Sequence, residues 1–284
     1  MDFLQHPHIQ KIIDFAFEED LSSIGDVTTL ATLPDNHTAK AKLLFKEEGI
    51  VAGIALAEHI FKQYEPDAKL EIFVKDGQKV QKGDIGFIVT ASYHTLLKVE
   101  RVMLNIMQRM SGIATLTNQV VQELNGLHTR VLDTRKTTPG LRILEKWAVH
   151  IGGGVNYRFG LYDWVMIKDN HIDHAGGIKI AITRVHEYLK KQGLNLNITV
   201  ETRNLTEVQE VLEIGGIHQI MFDNMDYDMM REAVKMVNKR YITEASGNIT
   251  LENARKKAET GVDFISMGML THSVKSMDIS LKAV

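Results

Sequence analysis

Hydrophobic and polar positions change rhythm partway along the chain. Between residues 8 and 123 the periods are mixed. His8 to Glu19 places Ile9, Ile12, Ile13 and Ala16 on one helical face. Ala39 to Phe45 alternates as a strand, Gly49 to Gly53 turns, and Ala55 to Tyr64 returns to helical spacing. Leu70 to Val74 and Gly86 to Thr90 are further strands, and from Leu96 to Glu123 the apolar positions Leu97, Val102, Leu104, Ile106, Met107 and Met110 predict a long helix. Gly112 is expected to break that helix in two. After Gly126 a different unit repeats: a short apolar run, a polar or charged end, then a helix. The runs are 129–133, 164–167, 197–200, 219–222, 241–243 and 263–266, and the last four recur at roughly 22 residues, about the length of one βα unit. Six such units predict parallel strands with right-handed crossovers, hence a (β/α) barrel or a large open barrel. The alternative is a doubly wound sheet, but the chain has no Gly-x-Gly-x-x-Gly fingerprint.

Composition narrows the class. The 284 residues are 44% hydrophobic and 24% charged, as in a globular enzyme or binding protein. The absence of cysteine excludes a disulfide framework, thiolate metal sites and a cysteine nucleophile, and fits a reducing compartment. A net charge of −3 does not favour nucleic acid or an anionic membrane. No apolar run approaches the ~18 residues that span a bilayer, and residues 1–5 carry no basic and apolar leader, so a cytoplasmic location is expected.

In a barrel all six strand ends face one side, so Arg135, Lys136, Lys168, Glu201, Asp223 and Ser246 converge. Arg135, Lys136, Arg158 and Lys168 suit a small ligand with several carboxylates, or a phosphate: arginine grips a carboxylate through two bonds, lysine as a point charge. Glu201 and Asp223 suit Mg²⁺; otherwise they pair with the neighbouring cations. Ser246-Gly247-Asn248 and Met267-Gly268, on the last two units, suit phosphate binding by backbone N–H groups. Gly152-Gly153-Gly154 is as readily a linker as a backbone approach to a ligand, and His171 and His272 are read as hydrogen-bonding rather than metal-binding. Gly25 to Thr29 is read as a cap or turn. The Asp76 to Asp84 turn is faintly like that of a biotinyl or lipoyl carrier, but a packing role is preferred. With no nucleophile evident, positioning and charge stabilisation carry the chemistry.

Asp133-Thr134-Arg135-Lys136-Thr137-Thr138-Pro139-Gly140, Leu144-Glu145-Lys146-Trp147, Leu161-Tyr162-Asp163, Ile167-Lys168-Asp169-Asn170-His171, Phe222-Asp223-Asn224, Glu244-Ala245-Ser246-Gly247-Asn248 and Met267-Gly268-Met269-Leu270-Thr271-His272-Ser273 together resemble the quinolinate phosphoribosyltransferase family. The resemblance implies an N-terminal α/β sandwich domain over residues 1–112, rejoined by a tail at 273–284, and a barrel of about six to seven units over 113–272. It implies conversion of quinolinate and phosphoribosyl pyrophosphate to nicotinate mononucleotide, pyrophosphate and CO2, with Mg²⁺, in a homodimer or larger assembly. By position, Arg135, Arg158 and Lys168 hold the quinolinate carboxylates and Lys136 stands between the substrates. Glu201 and Asp223 address the ribose hydroxyls and Mg²⁺, and Ser246, Gly247, Asn248 and Gly268 hold the 5′-phosphate. Thr134, Tyr157, Ser266, Met267 and His272 complete the substrate-binding set, with Lys136, Glu201 and Asp223 catalytic. Arg101, an ordinary surface residue on its own spacing, becomes the arginine lent to a neighbouring subunit. Tyr157 stands where many relatives carry histidine; it still donates a hydrogen bond but stays neutral near pH 7.

Overall fold

A computed structural model describes residues 2–33 and 37–284; Met1 and residues 34–36, all within the expected N-terminal domain, lie outside the described residues. The chain forms two compact units. The first comprises residues 1–118, 137–153 and 270–284, the second 119–136 and 154–269. The boundary expected at 112/113 falls inside one continuous helix, and residues 137–153, expected with the barrel, belong to the first unit.

In chain order the first part runs α1 (Pro7–Leu21), α2 (Val27–Thr32), β1 (Thr38–Phe45), β2 (Gly49–Ile50), α3 (Ile54–Tyr64), β3 (Lys69–Ile72), β4 (Lys79–Val80), β5 (Ile85–Ser92) and α4 (Tyr93–Glu123). Helix α1 starts where proline needs no N–H partner and buries Ile9, Ile13 and Phe17, each four residues on from the last. The Gly25 to Thr29 stretch is a helix cap: Thr29 donates its backbone N–H at 3.1 Å and its hydroxyl to the Asp26 carboxylate. The Asp76 to Asp84 turn also has a packing role. Asp76 accepts from the N–H groups of Gly53, Ile54 and Ala55 at 2.7, 2.8 and 3.3 Å and so caps α3.

Helix α4 is not broken at Gly112; it runs 31 residues without interruption. A Cβ at position 112 would lie 2.2 Å from the Lys275 carbonyl oxygen. The glycine therefore serves a close approach of the C-terminal segment rather than a break. That segment ends in a strand over Ile279–Ala283, which pairs antiparallel with β1 in register Phe45↔Ile279 to Ala41↔Ala283. It completes a four-stranded antiparallel sheet with β5 and β3. Phe45, Phe61 and Phe87 are fully buried there, each stabilising by roughly 1.5–3 kcal/mol over exposure.

The remaining elements are β6 (Arg130–Leu132), α5 (Arg142–Ile151), β7 (Val165–Ile167), α6 (Asp169–Ala175), α7 (Ile178–Gln192), β8 (Ile198–Thr202), α8 (Leu205–Ile214), β9 (Gln219–Asp223), α9 (Tyr227–Val237), β10 (Ile242–Ser246), α10 (Leu251–Ala258), β11 (Phe264–Ser266) and α11 (Met269–His272), before the final strand β12. Strands β6 to β11 form one six-stranded sheet in the order β6-β11-β10-β9-β8-β7, with every pairing parallel. Each successive strand from β7 to β11 lies beside the previous one, and the first in the chain lies beside the last. That is circular winding; a doubly wound sheet would reverse direction at a switch point. A parallel bridge from Leu132 to Val155 extends the free edge of β6. The six-stranded parallel sheet matches the incomplete barrel that the family resemblance implies.

Candidate active site

The site is built at the C-terminal ends of these strands. β6 buries Val131 and Leu132 and ends in Asp133, which is wholly buried. Its carboxylate accepts from Asn156 Nδ2 at 2.7 Å and Tyr157 N at 2.9 Å, tying the segment after Val155 to the strand end. Thr134 Oγ1 accepts from Lys136 N at 3.0 Å, closing the turn that carries Arg135 and Lys136. Asp163 accepts from the N–H groups of Phe159 and Gly160 at 2.6 and 2.9 Å and holds the loop after Arg158. Burial first, then the charge of Arg135, holds the Arg158 guanidinium below its ordinary range, while Tyr157, Asp163 and Glu244 pull the other way. Two guanidinium groups are thus near enough to repel.

Lys168 follows β7. Its backbone N–H donates to His171 Nδ1 at 2.9 Å, which is the hydrogen-bonding role expected of that histidine. Its ammonium lies 3.4 Å from Glu201 Oε2, and the Asp169 N–H points at Glu201 Oε1 from 3.4 Å. Strand β8, bearing Glu201, is buried along its whole length. Glu201 pairs in register with Met221, so Asp223, two residues on, shares its face. Among the described residues no group of three or more His, Asp or Glu is arranged to hold a metal ion. Two carboxylates on one face do not make a protein cage, but they suit Mg²⁺ that arrives with phosphate oxygens and waters.

Asp223 pairs in register with Ser246. Asn224 Nδ2 donates to Asp223 at 2.8 Å, and Asn248 Nδ2 donates to Asn224 Oδ1 at 3.0 Å. Gly247 has φ +94° and a Cβ there would sit 2.2 Å from Asn224 Oδ1, so the loop admits only glycine. On the next strand Ser266 pairs with Leu132, and Met267 N donates to Leu132 O at 3.0 Å, placing Gly268 directly after the β11–β6 ladder. The barrel unit therefore gathers fourteen of the sixteen expected site residues at its strand ends and adjoining loops. Arg101, exposed on α4, and His272, whose Nδ1 lies 2.6 Å from Ser273 Oγ, belong to the first unit.

Below these groups lies a polar layer that the strand ends alone did not reveal. Tyr157 OH and Thr199 Oγ1 are 2.7 Å apart; Trp164 Nε1 donates to Thr199 at 2.8 Å; Gln219 Nε2 donates to Tyr157 OH at 3.0 Å and also to Glu244 Oε2. Glu244 is fully buried in β10. Burial pushes its carboxyl up to about 7, against the hydrogen bonds of Ser266, Tyr157 and Gln219 and the charge of Lys168. Its Oε1 has no partner of ordinary hydrogen-bond geometry, so the hydroxyl contributions fall short of compensating burial. The same burial, with Glu244 beside it, raises the Tyr157 phenol. A signal for this layer existed in the strands. Thr199 lies two before Glu201, Gln219 four before Asp223 and Glu244 two before Ser246, so period two puts them all on the inner face.

A parallel barrel with paired cations, paired carboxylates and a glycine-bearing loop at its C-terminal rim defines a barrel enzyme for small polyanionic substrates. Comparison with known proteins makes this specific. The family model for the C-terminal domain of quinolinate phosphoribosyl transferase matches residues 113–282, and that for its N-terminal domain matches residues 26–111. The chain belongs to the quinolinate phosphoribosyltransferase family. It is 49% identical to the chloroplastic nicotinate-nucleotide pyrophosphorylase (carboxylating) of Arabidopsis thaliana, over 98% of this chain and 84% of that one. It is 41% identical to the probable nicotinate-nucleotide pyrophosphorylase (carboxylating) of Bacillus subtilis, over 98% and 94%. The crystal structure of nicotinate-nucleotide pyrophosphorylase from Ehrlichia chaffeensis superposes with a TM-score of 0.90 at 40% identity, covering 97% of this chain and 98% of that one.

Proposed function

We propose that this protein is a pentosyltransferase that joins quinolinate to the ribosyl carbon of phosphoribosyl pyrophosphate and decarboxylates the adduct, giving nicotinate mononucleotide, pyrophosphate and CO2 for de novo NAD synthesis. The observation that carries the reading is the gathering of Arg135, Arg158 and Lys168 with Glu201 and Asp223 at one rim of the parallel sheet. The cations match a pyridine dicarboxylate, with Thr134 and Tyr157 beside them. Lys136 stands at the junction with the pyrophosphate. Glu201 and Asp223 face the ribose hydroxyls and would hold Mg²⁺, which when bound neutralises charge on the departing pyrophosphate. Ser246, Gly247 and Asn248, with Gly268, hold the 5′-phosphate through backbone N–H groups, and Ser266 and Met267 adjoin them in the substrate-binding set. His272 closes the substrate set.

The electron accounting needs no nucleophile from the protein. The C1′–oxygen bond breaks with its pair leaving on pyrophosphate, and the ring nitrogen lone pair forms the new bond to C1′. The transient positive charge at C1′ is stabilised by nearby carboxylates. The pyridinium then accepts the pair left at C2 as CO2 departs, and C2 takes a proton. The reading includes a homodimer or larger assembly in which Arg101 enters the neighbouring subunit's site, and a cytoplasmic location in keeping with the lack of cysteine. Incubation with quinolinate, phosphoribosyl pyrophosphate and Mg²⁺ should release equal amounts of CO2 and pyrophosphate. No release with quinolinate sinks the assignment.

A further inference from the structure

Glu244 is a carboxyl with no place in the reaction as written, yet it sits beneath the rim that carries it. Its register neighbours on β9 and β11, Met221 and Phe264, are apolar. The groups acting on it are Gln219 from β9, Ser266 from β11, Tyr157 and Arg158 from the segment after the Val155 bridge, and Lys168 from the end of β7. Tyr157 is neutral at working pH, so the charges it meets are the cations Arg158 and Lys168, with Arg135 beyond Arg158. These are the cations assigned above to the quinolinate carboxylates, and the inference rests on that assignment.

We infer that Glu244 is the proton store of this site: it takes up a proton when a dianionic ligand settles on Arg135, Arg158 and Lys168, and releases it as the ligand's negative charge falls. With the rim empty, the excess of cations stabilises a buried carboxylate. A dianion cancels that field and adds two like charges across a low-dielectric interior, and both effects favour the neutral acid. Loss of CO2 and formation of the cationic ring reverse the balance. Because the carboxyl already stands at about 7, small changes in field move real fractions of a proton at neutral pH. A tenfold change in its protonation constant at pH 7 takes occupancy from about one half to about nine tenths, an uptake of about 0.4 proton per site.

The test is calorimetric titration with quinolinate alone, at pH 7, in two buffers of different protonation heat. The difference between buffers counts protons. Wild type should take up about 0.4 proton per bound quinolinate, nicotinate, a monoanion, markedly less, and Glu244→Gln close to none while still binding quinolinate. No saturable binding of quinolinate by wild type sinks the site assignment, and the inference with it. Binding with the same proton count in wild type and Glu244→Gln sinks the inference alone. Should the variant not fold, infrared difference spectra of wild type carry the test. A protonated, buried carboxyl C=O band should grow on adding quinolinate at neutral pH, and a band that does not grow overturns the inference.

Discussion

The buried position of Glu244 has a consequence for stability that is independent of any ligand. An ordinary glutamate titrates at 4.5, and in the folded barrel this one stands at about 7. Raising the carboxyl that far corresponds to about 3 kcal/mol. The sign follows from linkage. Between the two values the folded chain holds the proton that the unfolded chain releases, so stability falls as pH rises through this window, and the loss is complete above the folded value. Glu244→Gln removes the titration and keeps the shape. Its carbonyl oxygen accepts from Gln219, and its amide has the Ser266 and Tyr157 hydroxyls to donate to. Relative to wild type, the variant should gain about 3 kcal/mol between pH 4.5 and pH 8.5. Two compact units make a single global unfolding transition a poor reporter, so the assay is amide hydrogen exchange over residues 242–246 at each pH, comparing the two proteins under identical conditions. A difference that stays flat across that range, or moves the other way, refutes the account of Glu244 as an under-compensated buried acid.

The other predictions concern the rim and the first unit. Arg135→Ala should raise KM for quinolinate roughly 10- to 100-fold, the worth of a charge-assisted bidentate contact, and leave that for phosphoribosyl pyrophosphate nearly unchanged; equal effects on both contradict the assigned role. Arg101→Ala mixed with Lys168→Ala should regain activity that neither variant has alone, since one subunit in the mixed pair then carries an intact site; no recovery after verified subunit exchange argues against sharing. Gly112→Ala places a methyl carbon 2.2 Å from the Lys275 carbonyl oxygen and should cost about 1–3 kcal/mol, seen as earlier thermal unfolding of the first unit. An unchanged melting curve would mean that the C-terminal segment is not held against α4.

Strand positions were readable because apolar runs in a parallel sheet stop where the chain leaves the core. All six runs between Thr129 and Ser266 became strands, and their polar ends became the rim. Helix boundaries in the first part also fell within a few residues of expectation, since caps and period-3.6 faces are local. The failures are tertiary. Gly112 looks like a break because nothing local says that a segment about 160 residues further on will pass against it. Arg109 carried no signal at all. It donates to Glu145 Oε1 at 2.6 Å, Thr138 Oγ1 at 2.8 Å and the Thr271 carbonyl at 2.9 Å, partners that lie up to 162 residues away. That network, not helix propensity, draws residues 137–153 into the first unit. Glu244 was visible but misplaced: the run Tyr241 to Thr243 seemed to end before it, whereas β10 continues to Ser246.

Barrel interiors are ordinarily filled by branched apolar side chains, and a polar layer there needs its own explanation. Most of this one is internally satisfied. Tyr157, Thr199, Trp164 and Gln219 exchange hydrogen bonds of 2.7 to 3.0 Å, so their burial costs little net free energy. Glu244 is the exception, because three neutral donors do not make up for its desolvation. A methionine at this position, between Met221 and Phe264, has similar volume and no charge to bury, and by the arithmetic above it would stabilise β10 at neutral pH. Stability alone therefore does not account for a carboxyl here. The cations that act on it are the ones that face the ligand, so its free energy is tied to what those cations hold. A carboxylate eased by the cations of the empty rim and opposed once a dianion sits on them makes ligand binding and proton uptake pull together. Quinolinate should then protect β10 from exchange more at pH 5.5, where the acid is already neutral, than at pH 8, where binding must first return its proton, and Glu244→Gln should lose most of that pH dependence.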